Sequence, residues 1–128
     1  MKYLIAIVLA CLISTPALAA NQCIPGSPDM FEFIKWEFKN IDNHWVEISL
    51  TYHNKLNQAF AQANIGVVVD GHPQFEIHNR KVTKPSSDAT ATEQLGMRMA
   101  DLKELQSLTP KLLCVEWTFD ENGTRTSY

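Results

Sequence analysis

The chain has 128 residues, of which 45% are hydrophobic and 20% are charged, and its formal net charge at pH 7 is -3. This length suits one domain, because two domains of half the size would each have a marginal core. The hydrophobic content excludes a disordered or collagen-like chain. The charge balance has no basic excess, which argues against a protein devoted to nucleic acid.

The first nineteen residues have the pattern of a secretory signal peptide of bacterial type. Lys2 gives a positive start, residues 3–13 form an uncharged apolar run, and Ala17-Leu18-Ala19 is a small-x-small cleavage site. The run is well short of the ~20 apolar residues that span a bilayer. We therefore expect residues 1–19 to be removed and residues 20–128 to form a single periplasmic or secreted domain with no membrane span.

Removal of the signal segment leaves Cys23 and Cys114. An even pair of cysteines in an exported chain favours a disulfide bond. Two free buried thiols are the alternative, which fits an oxidising compartment less well. The bond would use both candidate nucleophilic thiols, so the sequence gives no support to a cysteine-based enzyme.

Most of the expected domain alternates between apolar and polar residues, which predicts short antiparallel strands. The predicted strands are residues 30–39, 45–53, 60–70, 75–78, 95–99, 113–119 and 124–128. Aromatic residues on both faces of the first strand predict either a bulge near Phe33 or a strand that is buried on both sides. Asn122-Gly123 predicts a two-residue hairpin turn.

Three further segments have their own patterns. Leucines at three-residue spacing predict a short helix near residues 100–108. Residues 80–92 are polar and contain Pro85, which predicts a mobile loop. In the strand near the C-terminus, Leu113, Val115, Trp117 and Phe119 alternate with polar residues and should share one apolar face.

About seven short strands with turns between them favour an all-β fold, an Ig-like antiparallel β-sandwich with one short helix. An α+β sheet with one helix is the alternative. Cys114 lies between Leu113 and Val115, so its side chain should point to the opposite face of the strand from these apolar residues. The disulfide should therefore tie the N-terminal lead-in across a sheet surface or edge.

The VEISLTYHN run at residues 46–54, followed by a polar turn and residues 63–71, resembles small exported Ig-like domains. The FxLYD-type domains of bacterial envelope proteins are the nearest such family. The resemblance is confined to residues 46–71, and Val67-Val68-Val69-Asp70-Gly71 stands where those domains have their Phe-x-Leu-Tyr-Asp stretch. The resemblance implies an Ig-like fold and a binding role in the envelope, and it carries over no catalytic residue.

Residues 70–78 contain the best metal-ligand candidates, His72 and His78 with Asp70 and Glu76. Imidazole and carboxylate ligands hold zinc or copper where a fold brings them together. The spacing matches no recognised metal motif, and surface histidines near turns are common. We therefore expect no metal or other cofactor, and a metal site at these residues is the alternative.

Four glutamates, Glu32, Glu37, Glu47 and Glu116, lie on predicted strands. Two carboxylates that meet across strands can act as an acid and a base. Solvated outer faces that discourage edge pairing explain the same pattern more simply. The chain has no glycine-rich phosphate loop, serine nucleophile elbow or Walker sequence, so we expect no catalytic site.

Three aromatic residues, Trp45, Phe60 and Trp36, are predicted on the polar faces of their strands. Exposed aromatic side chains beside charges are typical of a protein-binding patch. Coverage by the second sheet is the alternative, because a small domain needs its aromatic residues for its core.

These patterns favour a small exported binding or accessory protein that contacts another envelope or secreted protein and performs no catalysis. The alternatives are a metal-binding protein using His72 and His78, an inhibitor or immunity protein against an envelope-acting enzyme, and a hydrolase with a strand-borne carboxylate pair. A binding module predicts an apolar patch, whereas an enzyme predicts a cleft that contains a group with a perturbed pKa.

Overall fold

The computed structural model describes residues 22–42 and 44–128, so the predicted signal segment lies outside the described residues. The described chain has seven strands and one helix. In chain order they are β1 (Phe31–Asn40), β2 (Trp45–Asn54), β3 (Gln62–Val68), β4 (Phe75–Asn79), β5 (Asp88–Gly96), α1 (Met99–Gln106), β6 (Leu112–Phe119) and β7 (Arg125–Ser127). Within this part of the chain, no helix has the length and apolar character needed to cross a membrane.

The strands form two antiparallel sheets, one of three strands in the order β1-β2-β5 and one of four in the order β4-β3-β6-β7. The predicted all-β sandwich with one short helix is therefore confirmed. The narrower description as Ig-like stays a prediction.

Every second residue of strand β2 is buried and contributes to the inner face of the three-stranded sheet. Its residues Val46, Ile48, Leu50 and Tyr52 are each at most 1% exposed. They belong to one core cluster with side chains of β3 and β6. Burial of this apolar surface is the main force that holds the two sheets together.

Strand β1 contains the bulge that the sequence predicts. Its pairing with β2 shifts register between Phe33 and Lys35, which leaves Ile34 as the extra residue. Because of this shift, aromatic residues on both sides of the bulge pack against the core. Trp36 packs edge-to-face against Phe33, with ring centroids 6.0 Å apart, and against Phe38, with ring centroids 5.0 Å apart.

Strand β6 contains a second bulge, which the sequence analysis did not predict. Its pairing with β3 shifts between Asn64 and Ile65, which leaves Glu116 as the extra residue. Leu113 and Val115 belong to the core, but Trp117 and Phe119 do not. The prediction that all four residues share one apolar face is wrong beyond the bulge. Instead, the inner position is taken by Thr118, which is 4% exposed.

The segment predicted as a mobile loop over residues 80–92 is partly a strand, because β5 begins at Asp88. Its polar residues pair across the outer face of the three-stranded sheet. The hydroxyl of Thr90 lies 2.9 Å from that of Thr51, and the hydroxyl of Thr92 lies 3.2 Å from that of Ser49. Hydroxyl pairs of this kind stabilise the pairing of neighbouring strands on a solvent-facing side of a sheet.

Two local predictions near the C-terminal half have different outcomes. The predicted helix is confirmed within two residues at each end, and Leu102 and Leu105 are its buried residues. The hairpin between β6 and β7 is longer than the predicted two-residue turn. Asp120 accepts backbone hydrogen bonds from Asn122 at 2.9 Å and Thr124 at 2.8 Å.

The N-terminal lead-in is bound to the four-stranded sheet. The predicted disulfide joins Cys23 to Cys114, which is completely buried on the face of β6 opposite to the core residues. Ser27 and Val115 exchange two backbone hydrogen bonds of 3.0 Å. We call residues 22–27 the strap, because they lie across the outer face of this sheet as predicted.

Candidate functional sites

The three aromatic residues predicted as a binding patch lie in different environments. Trp45 begins β2 and is 48% exposed, as a contact residue would be. Trp36 is half-buried against the edge of the core. Phe60 is only 2% exposed and stacks on Phe31 with ring centroids 5.5 Å apart, so it is not an exposed contact residue and fits the alternative of coverage within the sandwich. Phe60 precedes β3 and faces inward, and the three residues do not form one patch.

Trp45 instead belongs to a different exposed group at one end of the sandwich, which we call the apolar end. Its members are Ile41, Trp45 and Met99, which are 44%, 48% and 44% exposed. The Ile41 amide donates to the Trp45 carbonyl at 3.0 Å across the β1–β2 turn. Asn40, the neighbour of Ile41, places its Nδ2 3.8 Å from the Met99 sulfur. These contacts place the backbones of Ile41 and Trp45 and the side chain of Met99 at the same end of the sandwich.

A groove of about 540 Å³ lies beside the apolar end. Its apolar lining consists of Pro73, Phe75, Leu95, Met97 and Leu105. Gly96 also lines it and lies opposite Trp45 in the β2–β5 pairing. The rim carries the ion pair between Arg98 and Asp101, at 3.1 Å. An apolar centre with a polar rim is the usual anatomy of a protein contact surface.

The structure gives the four metal candidates separate partners. His72 Nε2 lies 3.3 Å from a Glu104 carboxylate oxygen, in a geometry that makes no hydrogen bond. Asp70 forms an ion pair with Lys111 at 2.8 Å. His78 Nε2 lies 3.1 Å from the side-chain oxygen of Gln62, and the His78 ring packs edge-to-face on Trp117. Among the residues described, no three His, Cys, Asp or Glu side chains are grouped closely enough to hold a metal.

Glu76, the fourth metal candidate, forms a carboxyl pair with Glu116. Glu116 is 7% exposed and accepts a 3.0 Å hydrogen bond from Asn64 Nδ2. Burial first, and then the charge of Glu76 and a hydrogen bond with it, raise the pKa of Glu116 to about 7. A hydrogen bond between two carboxyls needs a proton on one of them. The pair can therefore hold one proton at neutral pH.

A polar recess of about 630 Å³ surrounds the carboxyl pair on the outer face of the four-stranded sheet. One wall is aromatic: Trp117 contacts His78 at 5.1 Å and Phe119 at 5.2 Å, and Arg125 lies over its ring at 5.4 Å. Burial, followed by the charge of Arg80, lowers the pKa of His78. Arg125 covers one face of the Trp117 ring, so this face packs against a side chain of the same protein.

Sequence reasoning missed the carboxyl pair because it depends on two strand registers. Glu76 lies opposite Gly66 in the β3–β4 pairing, and Gly66 lies opposite Cys114 in the β3–β6 pairing. Glu116 is the extra residue of the bulge that follows Cys114, and it lines the same recess as Glu76. The other strand-borne glutamates are separate from this pair: Glu32 and Glu37 are exposed on β1, and Glu47 is half-buried on β2.

Comparison with known proteins gives no match for this chain among protein-family models, curated proteins or solved structures.

Proposed function

We propose that the chain is an exported binding or accessory protein of the periplasm or cell envelope, and that it contacts another protein through its apolar end. The observation that carries this proposal is the joint exposure of Ile41, Trp45 and Met99 beside an apolar groove. Exposed apolar side chains that occur singly are ordinary, whereas a contiguous group with a polar rim is typical of an interaction site.

The composition of this surface supports a protein as the partner. Tryptophan and arginine are enriched among the residues that dominate binding energy. Trp45 belongs to the apolar end, and Arg98 lies on the rim of the adjoining groove. Lys39, Arg98, Asp101 and Lys103 around it carry both signs of charge, which does not favour a strongly charged polymer. The Cys23–Cys114 disulfide supports export, because such bonds persist in oxidising compartments.

The resemblance to FxLYD-type envelope domains fits the same role. The antiparallel sandwich supports the expected class of fold, and an Ig-like description of it is part of the proposal. Inhibition of an envelope-acting enzyme, or immunity against one, is a narrower form of the proposed activity. In that form the apolar end would cover a surface of the enzyme.

A carboxyl-pair hydrolase is the second candidate, which the polar recess favours. Glu116 has a pKa raised to about 7, and Glu76 would act as its partner in acid–base chemistry. The two carboxyls interact with each other, whereas glycosidases keep theirs ~5 Å or more apart to leave room for the reacting sugar. Moreover, Glu116 is only 7% exposed, which limits access for a substrate. Hydrolysis of casein or of nitrophenyl esters that is abolished in Glu116→Gln would support this candidate.

The binding proposal is tested with protein that is expressed from the full chain and purified from the periplasm. The immobilised protein captures partners from envelope extract, and the affinity of each captured protein is then measured by calorimetry. The test variant is Trp45→Ser, and the matched control is Val82→Ser, since Val82 is 61% exposed outside the apolar end.

We expect Trp45→Ser to weaken binding by about tenfold or more, as for a central contact residue. Val82→Ser should bind as the unmodified protein does, and both variants should keep its melting temperature. A partner whose affinity is unchanged by Trp45→Ser and by Met99→Ser would overturn the proposed contact surface.

A further inference from the structure

The strap covers the buried member of the carboxyl pair. Gly26 has a φ of +115° and lies against β6. A Cβ on Gly26 would lie 3.0 Å from the Cys114 Cβ and 3.3 Å from the Glu116 Cγ. Pro25 lines the recess together with both glutamates. The backbone of the strap therefore packs against Glu116 at the wall of the recess and contributes to its burial.

The two carboxyls differ in how they can respond when both become charged. Glu76 is exposed, so its side chain can turn to solvent. Glu116 is fixed by the hydrogen bond from Asn64 and is covered by the strap. A buried carboxylate that loses its partner is costly unless water or another donor reaches it. Movement of the strap away from β6 would expose more of Glu116 to water.

We propose that Glu76 and Glu116 form a proton-dependent latch, which holds the strap against the four-stranded sheet while the two carboxyls share a proton and releases it when both ionise. The Cys23–Cys114 bond keeps the released strap attached. The latch lies on the outer face of the four-stranded sheet and does not depend on the proposed role of the apolar end.

The other charged groups around the recess have partners of their own. On β4, His78 packs on Trp117, and Arg80 lies 3.3 Å from Glu93 of β5. On β7, Arg125 lies over the Trp117 ring. Tyr128 lines the recess and places its hydroxyl 3.3 Å from that of Thr118.

Two features make the carboxyl pair the element that switches. The strap carries no charged side chain, and Asn64 of β3 is neutral. Burial and the charge of Arg80 lower the pKa of His78, so this ring is already neutral where the pair loses its proton.

Amide hydrogen exchange measured by NMR between pH 5.5 and 8.5 tests the latch. The reporters are the Ile24 amide, which donates to Gln74 Oε1 at 2.9 Å, and the Ser27 amide, which donates to the Val115 carbonyl at 3.0 Å. After correction for intrinsic rates, their protection should fall about tenfold or more as the pH rises through neutrality. Amides of the central strand β2 should keep constant protection.

Three variants complete the test. Glu116→Gln keeps the shape and the hydrogen bonds but cannot ionise, so the strap should stay protected at pH 8.5. Glu76→Gln changes an exposed residue and provides an amide donor for ionised Glu116, so it should also keep the strap protected. Glu121→Gln, in the exposed β6–β7 turn, is the matched control and should retain the loss of protection. Constant strap protection in the unmodified protein, or the same loss in Glu116→Gln and Glu76→Gln, would overturn the latch.

Discussion

Asn79 on β4 donates a hydrogen bond from its Nδ2 to the Tyr52 hydroxyl on β2 at 2.6 Å, and so connects the two sheets inside the core. Both residues are at most 1% exposed. Asn79 Nδ2 also donates to the Thr83 hydroxyl at 3.0 Å. Burial raises the pKa of Tyr52 to about 12, so its hydroxyl keeps its proton throughout the physiological range.

Replacement of Asn79 by Ala should lower the free energy of unfolding by about 1–3 kcal/mol, because the Tyr52 hydroxyl would stay buried without this donor. Tyr52→Phe should cost less, since Asn79 would keep its bond to Thr83. Urea denaturation followed by tryptophan fluorescence measures both changes. Asn122→Ala, in an exposed turn, is the control, and equal midpoints for it and Asn79→Ala would contradict the prediction.

Gly66 is required because the side-chain amide of Gln74 lies directly over it. A Cβ on Gly66 would meet Gln74 Nε2, the flexible end of that side chain, which would have to move. Gln74 would then lose its 2.9 Å hydrogen bonds to the Ile24 amide and the Pro25 carbonyl. Gly66→Ala should therefore loosen the strap at a cost of about 1–2 kcal/mol, measured by urea denaturation.

A double-mutant cycle separates this explanation from general crowding. If displacement of Gln74 is the cause, Gln74→Ala should produce a similar loss. The double variant with Gly66→Ala should then be hardly worse than either single variant. Additive losses would show that the added methyl disturbs another contact, such as the Cys114 Cβ at 3.3 Å.

Local patterns predicted the elements whose environment is set by neighbours in sequence. Alternation placed Val46, Ile48 and Leu50 in the core, and the switch of aromatic faces located the bulge at Ile34. Leucine spacing likewise located α1. In these cases the spacing of apolar residues within one segment indicates which face of that segment is buried.

The errors came from features that depend on distant partners. The polar composition around Thr90 and Thr92 predicted a loop, yet the hydroxyls of these β5 residues pair with hydroxyls on β2. Phe60 precedes β3, so the alternation of that strand does not fix the direction of its side chain. The Glu76–Glu116 pair needs the order of β4, β3 and β6, and a bulge in β6. Neither the strand order nor the bulge can be predicted from the sequence of a single segment.

Loss of the Cys23–Cys114 bond should destabilise the fold strongly, because the bond joins residues 91 positions apart. The chain-entropy model gives a cost of up to about 4.6 kcal/mol for a loop of this size. The double variant Cys23→Ala/Cys114→Ala and the unmodified protein under reducing conditions should show similar losses in urea denaturation. A loss in the double variant alone would mean that the cavity left by buried Cys114, rather than the cross-link, is responsible.

The Glu76–Glu116 pair should make stability fall as the pH rises. The folded-state pKa of Glu116 is raised from 4.5 to about 7, so between these values the folded protein binds more protons than the unfolded chain. The stabilising contribution is complete below about pH 4.5 and is lost as the pH rises through about 7. One pKa unit corresponds to about 1.4 kcal/mol, which sets an upper limit of about 3.4 kcal/mol for the loss.

The difference in unfolding free energy between the unmodified protein and Glu116→Gln isolates the contribution of the carboxyl pair, because every titrating group outside the pair is common to both. Relative to the unmodified protein, Glu116→Gln should become more stable as the pH increases from 5 to 8. Glu121→Gln should show no such trend, since Glu121 is exposed. A difference that stays constant from pH 5 to 8 would mean that Glu116 titrates outside this range. A difference that changes in the opposite sense would mean that the folded protein favours the ionised carboxylate of Glu116.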